Sequence, residues 1–205
     1  MKEIDIDSWE RKNLYEFYMG FDRGCFNITI KIPAQNTYDY CKKNGISFFL
    51  ASLYGIVRAV NEIDNFKLRE TPDQKVVLLD NVDVVTPIDV GNELFKEVEM
   101  KYYPDFEVFR AEASKVIEKT KGMEANAGES SEYPVLVSCV PWFHFEAVTL
   151  PDYTFRQSRP IITYGRLKDG EIPVNIRAHH AFVDGKHISH FVDLLTKLWT
   201  EPESW

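Results

Sequence analysis

Residues 47–63, SFFLASLYGIVRAVNEI, are apolar nearly all the way round a helical wheel, and this limits the folds open to the chain. A helix without a polar face has to be covered on every side, so it belongs at the centre of the molecule. Ser47 stands where an N-cap would, offering its hydroxyl to the first free amides. The run is the nearest approach to a membrane span in the sequence, but it is short and Arg58 interrupts it.

The cover comes from interleaved helices and strands. WERKNLYEFYMG reads as a helix capped by Asp7 or Ser8 and stopped with help from Gly20. CFNITIKIP alternates as a strand with one covered face does, and NTYDYCKKNG reads as a short helix ended by Gly45. FKLRE, KVVLLD and DVVTPIDV read as strands separated by polar turns. PDFEVFRAEASKVIEKTKG is helical with Asp105 as its cap, and KGMEANAGESSEY is loop-like. Apolar or alternating runs follow in PVLVSCVPW, FHFEAVTL, RPIITYGRL and PVNIRAHH, the last two joined by the hairpin signal KDGE. A last helix carries Ile188, Phe191, Leu194, Leu195 and Leu198 at helical spacing. With no repeat or linker in view, the pattern predicts one α/β domain over residues 1–205, built on a mixed β-sheet flanked by helices.

A net charge of −8 argues against nucleic-acid or anionic-membrane partners, which require a basic patch. The charged start, MKEIDIDSWERK, lacks the apolar core of a signal peptide. Cys25, Cys41 and Cys139 are widely spaced, odd in number and without a CxxC, which predicts free thiols in the cytoplasm.

Four of the five histidines, His179, His180, His187 and His190, fall in RAHHAFVDGKHISH. His187 and His190 share a helix face at i, i+3, but no second helical pair completes a zinc signature such as HExxH, so no metal is expected. On a strand His179 and His180 point to opposite faces, so at most one serves a given site. A strand-end histidine followed by Asp184 and Gly185 has the form of a general base with a supporting loop, since imidazole accepts protons near neutrality. Gly185 offers a backbone conformation closed to other residues. Asp184 also stands where a helix begins, and spacing alone favours a simple N-cap.

HHAFVDGKH closely resembles the HHxxxDG signature of the chloramphenicol acetyltransferase family. DSWERKNLYEFY resembles that family's Trp-x-Arg helix, VSCVPW its Val-Ser-x-x-Pro-Trp segment and PIITYGR its Ile-Ile-Thr strand, all in the family's order. HxxxDG alone is shared with dihydrolipoyl acyltransferases; the serine and arginine motifs point to the narrower family. The resemblance covers nearly the whole chain and implies the two-layer fold of CoA-dependent acyltransferases.

It further implies direct acetyl transfer from acetyl-CoA to a hydroxyl, with no acyl-enzyme and no metal. His180 matches the general base, Ser138 the donor to the tetrahedral oxyanion, and Thr163 a threonine that helps to hold a water. His179 would be structural. Asp184 matches an aspartate paired with the arginine of the first helix, here Arg11. Tyr18, Phe26, Leu150 and Ile161 match acceptor-pocket positions, and Arg166 matches a cofactor-side cation. Asp22 departs from an apolar position, and Leu136 and Val148 from phenylalanines, which leaves the acceptor open: chloramphenicol, or another small molecule under the same chemistry. A non-catalytic ligand-binding trimer is the alternative from another class. The family is homotrimeric, with each site at a subunit interface. Trp142 reads as core or pocket wall.

Overall fold

The computed structural model describes residues 1–126, 133–150 and 158–205, so residues 127–132 of the loop-like run lie outside it. β1 (Lys2–Glu3) leads through a 3-10 turn (Ile6–Ser8) into α1 (Lys12–Met19). Asp5, and not Asp7 or Ser8, caps the turn, and α1 begins later than the apolar pattern predicts. Arg11 occupies its N-cap; its carbonyl accepts the Tyr15 amide at 2.9 Å, while its side chain, a donor only, makes no cap bond and reaches Asp184 instead.

β2 (Cys25–Pro33) and α2 (Gln35–Asn44) follow as expected, the helix closed by Gly45 at φ 65°. The Ser47 hydroxyl accepts the Leu50 amide at 3.4 Å and starts α3 (Phe48–Asn61). Residues 50–57 of α3 are all buried, as an all-round apolar helix must be. Phe66 and Lys67 belong to a helical turn, α4 (Asp64–Lys67), which shortens the predicted FKLRE strand to β3 (Leu68–Glu70).

β4 (Val76–Leu78) and β5 (Val84–Gly91) precede β6 (Leu94–Met100), which the sequence pattern does not reveal. β6 is an outer strand with charges at Lys96, Glu97 and Glu99, so its apolar alternation is diluted. Its turn takes positive φ at Gly91, Asn92 and Glu93. α5 (Phe106–Thr120) is capped by Asp105, which accepts the Val108 amide at 3.0 Å. β7 (Val135–Val140), β8 (Ile161–Gly165), β9 (Glu171–His179) and α6 (Gly185–Thr200) follow, with a closing 3-10 turn at Pro202–Ser204. Asp169 and Gly170 turn β8 into β9 at φ 52° and 83°, the pair of positive values a two-residue hairpin requires. The alternating run over 143–150 forms no strand; β7 and β8 are already paired on both sides.

Six strands form a mixed sheet in the order β2-β9-β8-β7-β5-β6, parallel at β5-β7 and β7-β8 and antiparallel elsewhere. β1, β4 and β3 form a small antiparallel sheet. The large core joins one sheet face (Ile32, Val84, Val137, Ile162, Val174, Ile176) to buried residues of α3, α5 and α6. The opposite face carries a separate small apolar cluster of Val85, Leu136 and Ile161, packed by Leu150. Two layers therefore result, as the resemblance implies.

α3 and α6 cross at Gly55, where an added Cβ would lie 2.5 Å from Trp199 Nε1 and 3.3 Å from Leu195. Trp199 is fully buried and has nowhere to go. Alanine in an exposed helix gains about 1 kcal/mol over glycine, but overpacking costs about 1–3 kcal/mol. Gly55→Ala is therefore expected to destabilise the fold by about 1–2 kcal/mol in urea unfolding, the reverse of the helix-propensity sign.

Candidate active site

The site begins where β9 runs out. Cys25 faces His179 across the β2–β9 ladder, so the histidine pair lies at the mouth of the sheet. His179 is 2% exposed; its ring lies against Gly24, where any side chain would collide with it. Its Nδ1 accepts the Ala181 amide at 3.2 Å. Burial first, then the charge of Arg177 and the neighbouring His180, lowers its pKa to about 4, so it is a neutral structural imidazole.

His180 faces the other way. Its amide donates to the Gly24 carbonyl at 2.8 Å. Tyr18 stacks on the imidazole with centroids 4.0 Å apart and planes 2° from parallel, and Phe26 lies 4.8 Å away on a tilt. Nδ1 is buried and has no hydrogen-bond partner among the described residues. Rings and main chain, rather than a side-chain hydrogen bond to Nδ1, fix its orientation.

One guanidinium holds the turn that follows. Arg11 Nη2 donates to the His180 carbonyl at 3.0 Å, Nε to the Ala181 carbonyl at 2.8 Å, and Nη1 to Asp184 Oδ2 at 2.9 Å. Asp184 Oδ1 also accepts the Lys186 amide at 3.1 Å, so the N-cap and the ion pair, rivals from spacing alone, are both present. Burial pushes the Asp184 pKa up, but Arg11, His187 and the Lys186 amide outweigh it and hold the carboxyl below its usual range. The pair is partly sheltered, with side-chain exposures of 10% for Arg11 and 30% for Asp184.

Gly185 corrects the sequence reading. Its φ is not positive, and a Cβ there would meet nothing within 4 Å. The glycine that geometry demands is Gly24, which composition gives no reason to single out. Asn65, donating to the Phe182 carbonyl at 2.8 Å, and Tyr15, edge-on to Phe182 at 5.6 Å, are further supports that sequence reasoning missed. His187 at the third helical position was legible only as a variant of the Ser-x-x-Glu capping pattern.

Ser138 and Thr163 lie side by side, paired in register across β7 and β8, and Thr163 faces Asn175 of β9. Thr163 Oγ1 and Asn175 Oδ1 are buried without a hydrogen-bond partner among the described residues. Leu136, Ile161 and Leu150 belong to the small cluster on this sheet face, and Val148 is half-buried nearby in sequence. Asn175 precedes His180 by five residues, so at ~3.3 Å per residue and ~5 Å per strand Ser138 and His180 are on the order of 15–20 Å apart within one chain. One group of predicted residues (Arg11, Tyr18, Phe26, His180, Asp184) is brought together; the other (Ser138, Thr163, Leu136, Ile161, Leu150) is gathered separately.

Arg166 follows β8 and lines a pocket of about 500 Å³ with Gln35, Phe48, Phe49, Tyr164 and Lys168. Its amide donates to the Phe143 carbonyl at 2.6 Å, closing one wall. Trp142 is 68% exposed and so is not core; it borders a neighbouring groove with Phe49 and Pro141. Asp22 is exposed on the turn between α1 and β2.

The fold is that of the CoA-dependent acyltransferases: a dihydrolipoamide acetyltransferase from Azotobacter vinelandii superposes with a TM-score of 0.67 at 15% identity, covering 94% of this chain and 87% of that one. A solved chloramphenicol acetyltransferase superposes with a TM-score of 0.90 at 30% identity over 96% of this chain and 98% of the other. The chloramphenicol acetyltransferase of Campylobacter coli is 28% identical, the alignment covering 96% of this chain and 97% of the relative. The family model described as chloramphenicol acetyltransferase matches residues 1–196, and the chain belongs to that family of acyltransferases.

Removing Asp184 strands Arg11 against two carbonyls. Breaking a buried pair costs about 3–5 kcal/mol, and the partial exposure here places Asp184→Ala nearer about 2–3 kcal/mol. Because the carboxyl is held below its unfolded value of about 3.9, its contribution is full above that pH and lost as pH falls through the folded value. Urea unfolding should therefore show the gap between wild type and Asp184→Ala closing below about pH 4, with Gly185→Ala within about 0.5 kcal/mol of wild type throughout.

Proposed function

We propose that the protein transfers an acetyl group from acetyl-CoA directly to a hydroxyl of chloramphenicol or a similar small acceptor, with His180 as general base. The observation that carries this reading is the His180 imidazole itself, stacked on Tyr18, flanked by Phe26 and held through its own carbonyl by Arg11. With Nδ1 buried, Nε2 is the atom left to meet a substrate. Family membership supplies the reaction class.

Nε2 takes the acceptor hydroxyl proton as the oxygen bonds to the thioester carbonyl carbon. Ser138 donates to the oxygen on which negative charge develops, the kind of hydrogen bond that favours the transition state over bound substrate. The C–S bond then breaks, and the thiolate recovers the proton from the imidazolium. Thr163, its hydroxyl buried and without a partner among the described residues, supports the same region by holding a water. The pocket beside Arg166 has the apolar walls (Phe48, Phe49, Tyr164) and nearby cations (Arg166, Lys168) that suit the flexible arm and phosphates of a CoA thioester.

A separation of on the order of 15–20 Å cannot be bridged by one small reacting group within a chain. The reading therefore takes His180 from one subunit and Ser138 from its neighbour, in the homotrimer characteristic of the family. Tyr18 and Phe26 come with the base, while Leu136, Val148, Leu150 and Ile161 come with the serine. A second reading keeps the chemistry and changes the acceptor: the exposed carboxylate of Asp22, on the turn beside Gly24, favours acceptors bearing a positive charge.

Acetyl-CoA with chloramphenicol should release free thiol, and His180→Ala should lower the rate by roughly a hundred- to ten-thousandfold with the fold intact. His180→Ala and Ser138→Ala, each inactive alone, should regain activity when coexpressed, because some mixed sites receive both intact residues. No recovery in verified mixed oligomers would overturn the shared site, and a panel of neutral and cationic acceptors would separate the two readings.

A further inference from the structure

We propose that His187 is a positioning residue for the base, its neutral Nδ1 holding the Asp184 backbone N–H and leaving the Asp184 carboxylate to Arg11. Its effect on turnover rests on the role given above to His180; the lock itself does not. The geometry is that of a capping box, the Asp184 side chain accepting a backbone N–H of the first turn and the His187 ring accepting the backbone N–H of Asp184. Asp184 N donates to His187 Nδ1 at 3.1 Å, and Asp184 Oδ1 lies 3.2 Å from the same nitrogen. A nitrogen that accepts from a backbone amide carries no proton, so the ring proton resides on Nε2.

Protonation reverses this arrangement. Nδ1 would gain a proton, lose the amide and present a new donor to Oδ1, already engaged by the Lys186 amide. The carboxylate would then be drawn from the Arg11 side toward the helix. Arg11 also carries the carbonyls of His180 and Ala181, so its displacement is felt on both sides of the base.

The ring is positioned to sense protons. It lines an open pocket of about 480 Å³ with Trp9, Glu10, Arg11 and Asp64, which gives solvent a route to it. The charged groups around it are Asp184 on the cap, Arg11 from the start of α1, Lys186 and His190 on α6, and Glu10 and Asp64 across the pocket. Burial lowers its pKa most; Asp184 opposes this, while Arg11, His190 and Lys186 add to it. Stability from a neutral histidine of this kind is full above the unfolded value of about 6.5 and is lost as pH falls through the lower folded value.

Asparagine places an amide oxygen where Nδ1 stands and does not titrate; phenylalanine keeps the ring and removes the acceptor. Against wild type at pH 8, His187→Phe is expected to lower kcat for thiol release about tenfold with KM within about twofold, and His187→Asn to restore kcat to within about threefold. Between pH 5 and 7 the wild-type kcat should fall more steeply than that of His187→Asn. Long-range proton–nitrogen NMR of the wild-type protein should show Nε2–H His187 titrating below about 6.5. A protonated Nδ1 at neutral pH, or His187→Phe matching wild type at every pH, would overturn the proposal. If no acceptor turns over, the base assignment fails, and the NMR tautomer and titration still decide the lock.

Discussion

The site depends on a single guanidinium directed at one turn of chain. Arg11 reaches three acceptors, two main-chain carbonyls and one carboxylate, all contributed by residues 180–184. A planar fork with five N–H groups can do this in one rotamer, whereas a lysine ammonium is a point charge without that shape. The end of β9 with His180, and the start of α6 with its cap, are thereby held to the N-terminal end of α1, far away in sequence. The stacking of Tyr18 on His180 belongs to the same device, since Tyr18 and Arg11 ride on one short helix segment.

The sheet explains why the predicted site residues fall into two groups within one chain. Its register fixes Ser138 beside Thr163 and Thr163 beside Asn175, while His180 lies beyond the end of β9. No side-chain rotation closes a separation set by strand geometry. The helices fill one face of the sheet and leave the other with the small cluster of Val85, Leu136 and Ile161 beside polar Ser138, Thr163 and Asn175. The Thr163 hydroxyl and Asn175 amide oxygen on that face are buried and find no partner among the described residues, which is costly unless a further group meets them.

Much of this was legible in the residues. Helix caps at Ser47 and Asp105, the Asp169–Gly170 hairpin and the face of α6 follow from local chemistry, and each is where the pattern placed it. Local rules failed where tertiary contacts dominate. α1 starts late, with Arg11 at its N-cap and its side chain bonded to Asp184 over 170 residues away, and β6 hides because an edge strand rich in charge has weak apolar alternation. Gly185 attracted attention by motif, but Gly24 bears the steric demand, from a histidine in the same site and more than 150 residues away in sequence. Nothing in a linear reading signals such a contact.

The contacts around His180 differ from those of a catalytic triad. In a Ser-His-Asp triad a carboxylate orients the imidazole and answers the charge it acquires. Here the Asp184 carboxylate is spent on Arg11 and the Lys186 amide. His180 is oriented by the faces of Tyr18 and Phe26 and by main-chain bonds at its own amide and carbonyl. The neighbouring His179, held neutral by burial, adds no charge beside the ring.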